Sequence, residues 1–108
     1  MATFMIQASY EPTALAALIK KPQDRVEAIR PAIEKMGGKL LGGWFSFGDY
    51  DIVLIAEVPG NIEMAAMAMA TASAGAVRSI KTTTLLTMAE GMSAMKKAGK
   101  SSYKPPKG

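Results

Sequence analysis

Apolar and polar positions mark out the elements of this chain. Phe4, Ile6, Ala8 and Tyr10 alternate with Met5, Gln7 and Ser9, and this period of two predicts a first strand. Pro12-Thr13 opens a short apolar helical turn through Leu15, Leu18 and Ile19, which Lys20-Lys21-Pro22 interrupts. From Pro22 to Met36 the period turns helical, because Val26, Ile29, Ile33 and Met36 fall on one face. Pro31 sits inside that run and predicts a kink near Glu27, since it removes a backbone donor. Gly37-Gly38 predicts the stop.

Lys39 to Phe47 reads as a second strand, with Gly42-Gly43 predicting a bulge or a close backbone approach. Gly48-Asp49 is a turn signal. Tyr50 to Val58 is a third strand with the apolar centre Ile52-Val53-Leu54-Ile55-Ala56. Asn61 is the expected N-cap of a second main helix, rich in Ala and Met over residues 62–74 and broken by Gly75. Val77 to Leu86 is a fourth strand. Thr87-Met88-Ala89-Glu90 is a capping-box pattern that opens a last helix, with Met88, Met92 and Met95 on one stripe.

The order β-α-β-β-α-β with an extra C-terminal helix predicts an α+β fold. This is the ferredoxin-like arrangement, an antiparallel sheet with helices on one face and strands one and three central. The third strand is apolar on both sides: Tyr50, Ile52, Leu54, Ala56 and Val58 oppose Asp51, Val53, Ile55 and Glu57. Strict alternation sets Leu40 and Trp44 of the second strand against Leu41, Phe45 and Phe47. Two helices cover only one face, and a water-facing second face would be polar. Leaving these side chains wet costs roughly 1.5–3 kcal/mol each. A homo-oligomer follows, most simply a two-fold dimer packed sheet to sheet.

Composition narrows the chemistry. The 108 residues suffice for one domain. There is no cysteine and no histidine, so disulfides, thiolate nucleophiles, imidazole bases and the commonest metal ligands are excluded. Neither a metal nor a cofactor is expected, and no phosphate-cradling glycine loop is present. The formal charge of +4 is uneven. Lys96, Lys97, Lys100, Lys104 and Lys107 lie beyond Met95 without one acid, and the preceding residues are nearly neutral. The chain therefore divides into a domain over residues 1–95 and a Lys-rich flexible tail over 96–108. A solvated basic tail is the plain reading, and nucleic acid is an unlikely partner because no basic patch is written into the fold. No segment approaches a membrane span, and the opening residues lack a basic leader pattern, so a cytoplasmic protein is expected.

Phe47-Gly48-Asp49-Tyr50-Asp51-Ile52-Val53 resembles the signature of the GYD domain family. The stretches Phe4-Met5-Ile6, Asp24-Arg25, Gly37-Gly38-Lys39, Gly75-Ala76-Val77-Arg78 and Thr83-Thr84-Leu85-Leu86-Thr87 are similar to the same family, covering about residues 3–92. A weaker likeness reaches the amino-acid-binding effector domain of the Lrp/AsnC regulators. The resemblance implies a dimeric α+β barrel. Relatives with that architecture include ligand sensors, cofactor-independent monooxygenases and small isomerases, and fold alone does not choose among them.

The candidate ligand-binding residues are Gly48, Asp49, Tyr50, Asp51, Arg78 and Trp44. Gly48–Asp51 joins strands two and three. It is either hairpin geometry, with Gly supplying positive φ and Asp an Asx turn, or a rim of backbone amides on a cleft between subunits. Arg78 either pairs with an acid such as Asp51 or Glu57, or clamps a carboxylate with its guanidinium fork. Trp44, Tyr10 and Tyr50 either pack in the core and interface or wall an aromatic pocket. The Met64/Met67/Met69 and Met88/Met92/Met95 stripes read as core or subunit packing, with an adaptable binding surface as the alternative. No catalytic residue stands out, and the inventory favours a non-enzymatic small-molecule-binding or assembly domain, its ligand a small anion. The alternative is a cofactor-independent monooxygenase or isomerase.

Overall fold

In the computed structural model, which describes residues 1–107, the chain forms one four-stranded antiparallel sheet and four helices. The elements are β1 (Ala2–Tyr10), α1 (Pro12–Lys20), α2 (Arg25–Lys35), β2 (Lys39–Phe45), β3 (Ile52–Val58), α3 (Asn61–Ser73), β4 (Val77–Leu85) and α4 (Met88–Ala98). The strand order is β2-β3-β1-β4, with the two most apolar strands central. The fold is α+β and ferredoxin-like, with the additional C-terminal helix.

The covered face of the sheet is the core. Phe4, Ile6 and Ala8 of β1 and Ile52, Leu54, Ala56 and Val58 of β3 are buried there, with Leu40, Ile33 of α2 and Met64 of α3. On β3 the buried positions alternate with half-buried Val53, Ile55 and Glu57, the period-two pattern of a strand covered on one side. Gly43 lets α2 lie close. A methyl group there would sit 2.8 Å from Val26 and Leu54, so only a residue without Cβ fits.

The bulge in β2 corrects the faces expected from strict alternation. Leu40 pairs with Ala56, but Gly42, not Leu41, pairs with Ile55, and Trp44 then stands opposite Val53. One extra residue inverts every later side chain. Leu40 therefore points into the core, and Trp44 and Val53 share the open face. Phe45, opposite Ile52, turns to the covered side.

Helix ends differ from expectation in two places. Asn61 is not the N-cap of α3; extended Gly60 is, without a side-chain cap. The α2 helix begins at Arg25, capped by the Asp24 carboxylate accepting from Glu27 N–H at 3.1 Å, and continues across Pro31. Gly75 adopts φ +82° after α3, as a left-handed stop requires.

Helix α4 stands apart. Its capping box is complete: Thr87 Oγ1 accepts from Glu90 N–H and Glu90 Oε1 accepts from Thr87 N–H. Yet Met88, Met92 and Met95 are 81%, 56% and 69% exposed, and among the described residues no other element packs closely along it. The radius of gyration is accordingly 17.3 Å, against about 13 Å for a compact chain of this length. Lys96 and Lys97 lie in its last turn, where the helix dipole favours cations. No helix is long and apolar enough to cross a membrane among the described residues.

Candidate functional site

The connection between β2 and β3 is fastened to the end of β1 by three hydrogen bonds, and a further side-chain bond closes the connection on itself. Asp51 N–H donates to Ala8 O at 2.8 Å, and Tyr10 N–H donates to Asp51 Oδ2 at 2.9 Å. The Ser9 hydroxyl donates to Asp49 O at 2.6 Å, and the Ser46 hydroxyl to Tyr50 O at 2.7 Å. Gly48 takes φ +120° at the tip, a conformation that disfavours side chains. The Asp51 carboxylate thus continues the sheet ladder where β3 has not yet begun. Ser9 is buried at 2% exposure because its hydroxyl has this partner.

Two cavities open on the covered side of the same end. The outer one, about 620 Å³, is a cleft between α1, the start of α2 and the end of β2, bordered by Leu15, Leu18, Arg25, Arg30, Trp44 and Phe45. The inner one, about 320 Å³, lies between the sheet, α2 and α3, against Ile29, Leu54, Met64, Met67, Ala68 and Ile80. Tyr10, Arg25 and Ile52 border both. The junction is therefore a phenol and a guanidinium against an aliphatic wall.

The two α2 arginines differ in their engagement. Arg30 is committed to Glu27, with Nε and Nη2 each donating to a carboxylate oxygen at 3.0 Å. That bidentate pair lowers the Glu27 pKa, first by hydrogen bonding and then by charge, and raises that of Arg30. Arg25 donates to the neutral Gln23 amide at 3.0 Å and has no carboxylate within ion-pair distance among the described residues. Burial raises the Tyr10 pKa, with the neighbouring Arg25 charge pulling the other way and Asp51 adding to the rise. The phenol is therefore protonated at neutral pH and able to donate.

Of the residues singled out from the sequence, Trp44 lies at the edge of the outer cleft with its ring over Gly42 on the open face, and Gly48, Asp49, Tyr50 and Asp51 border neither cavity. Arg78 lies on β4, beside Val77, which pairs with Tyr10, and borders neither cavity. The expected ion pair from Arg78 to Asp51 or Glu57 is not made among the described residues, because Asp51 is turned to the Tyr10 amide on the far side of β1. Met64 is buried and Met67 lines the inner cavity, whereas Met69 is exposed. Arg25 is the residue that sequence reasoning passed over as chemistry. Its signal was its place directly after an N-cap aspartate, which starts α2 at the sheet end where the hairpin returns.

Among the described residues no cluster of acidic side chains is arranged to hold a metal ion. Comparison with family models matches the GYD domain over residues 4–95. The chain belongs to the GYD domain family. The matched span runs from β1 through most of α4, so both cavities and the fastened hairpin lie within the GYD domain. Comparison with curated proteins gives no match.

Proposed function

We propose that this GYD domain is a small-molecule-binding protein that acts as a homo-oligomer, with a small carboxylate as its ligand. The observation that carries the reading is Arg25: a guanidinium without a carboxylate partner, beside a protonated phenol, at the junction of two cavities. A guanidinium fork and a phenol O–H match the two oxygens of a carboxylate. The Gly48–Asp51 turn is fastened to the strand end beside the site, and Arg78 on β4 borders neither cavity. The oligomer is supported by the open sheet face, where Trp44 is 59% exposed and Leu41 47% exposed beside half-buried Met5, Val53 and Ile55.

A second reading, a cofactor-independent isomerase or monooxygenase, is favoured by Tyr10 alone. A half-buried phenol with a raised pKa suits a general acid more than a base at neutral pH.

The test is a thermal-shift screen of amino acids and small organic acids, repeated with Arg25→Ala and Arg78→Ala. Arg25→Ala is expected to weaken any carboxylate by about 10–150-fold, and Arg78→Ala by less. Hits that survive Arg25→Ala unchanged would remove the assignment.

A further inference from the structure

The inner cavity narrows the ligand class, given the carboxylate site at Arg25. Its polar side chains are Tyr10 and Arg25 at the junction, and Thr71. The Thr71 hydroxyl is already used, donating to Met67 O at 2.8 Å. Beyond the junction, no unengaged donor side chain faces the space, and the Thr71 oxygen keeps only acceptor capacity. An occupant bearing hydroxyls or amides along its body would lose their hydration without replacement. The walls are aliphatic and thioether, with Ile29, Leu54, Met64, Met67 and Ile80 and no aromatic ring past Tyr10. Met64 and Met67 add conformational adaptability suited to a flexible chain.

We infer that the ligand is a straight-chain aliphatic monocarboxylate, its head on Arg25 and Tyr10 and its tail in the inner cavity. An apolar cavity of about 150 Å³ holds one benzene ring. The 320 Å³ here admits a tail of roughly eight to twelve carbons on that scale. Charge and shape divide the work: the guanidinium selects the anion, and the aliphatic walls reward each methylene.

The experiment is calorimetric titration of the full chain with sodium butanoate, hexanoate, octanoate, decanoate and tetradecanoate, with benzoate and 1-octanol as controls. Affinity is expected to rise about fourfold per methylene and level off once the cavity is full. Octanoate should bind more tightly than benzoate and 1-octanol. In Ala68→Phe the levelling-off should move to shorter acids with butanoate unchanged. In Met67→Ala, which guards against a misfolded first variant, it should move to longer ones. If short acids bind through Arg25 but chain length adds nothing, the aliphatic assignment is overturned while the carboxylate site stands. If both variants leave the length profile unchanged, the tail does not occupy this cavity. If no acid of any length binds, the carboxylate reading itself falls.

Discussion

Phe4 and Met5 are neighbours on β1, and they meet different fates. Phe4 is 3% exposed, packed into the core beneath the helices, while Met5 is half-buried on a face that no element of its own chain covers. The contrast continues on β3, where Leu54 and Ala56 are buried and Val53 and Ile55 are not. Both faces are apolar at their centres, so hydrophobicity alone does not separate them. What separates them is cover. The helix-covered face is completed within one chain, and the open face offers apolar area with no cover of its own.

The sharpest way to break this contrast is to truncate one residue on each face. Phe4→Ala is expected to lower stability by about 3–5 kcal/mol, a large share of the roughly 5–15 kcal/mol of a domain. Chemical denaturation would measure it, and the loss should not depend on protein concentration. Ile55→Glu on the open face should act differently. It places a charge where a second copy would sit, so sedimentation velocity is expected to show a monomer of 11.4 kDa where the parent chain sediments as a dimer or larger. A parent chain already monomeric at micromolar concentration would leave the open face without its partner.

The smallest effect belongs to α4, which packs closely on neither face among the described residues. Thr87→Ala removes one half of the capping box and is expected to cost the helix about 0.5–2 kcal/mol. Circular dichroism should lose part of its helical signal, while the melting of the body changes little because α4 does not pack on it. Acid should act in the same direction. The Glu90 pKa is held below its ordinary value by the Thr87 backbone and side-chain hydrogen bonds. Its contribution is therefore present above the ordinary carboxylate range and is lost as pH falls through the lowered value. The helical signal of α4 should fade only below the ordinary carboxylate range.

Much of the fold was legible in the chain because its signals are local. Alternation gave β1 and β3, the glycines marked the stops, and Thr87-x-x-Glu90 wrote the start of α4 in full. The face of Trp44 was not legible, since it depends on a one-residue bulge that inverts the rest of β2. Asp51 and Arg78 looked like partners by charge, yet they flank β1 from opposite sides, and strand order is a non-local property. Arg25 escaped notice for the same reason. Its place at the junction depends on Tyr10, fifteen positions earlier in the sequence, and on a cavity that exists only after α2 and α3 have docked.

The inverted β2 also hands the protein an optical label. Trp44 is the sole tryptophan of the chain, and its ring lies over Gly42, where an added methyl would come within 2.9 Å of it. The indole thus sits on a bare backbone platform at the open face, more than half in water. Its emission reports on that one square of surface with no engineering. A blue-shifted, quencher-resistant signal at high protein concentration, relaxing to the red on dilution, would be the spectrum of a face being covered and uncovered.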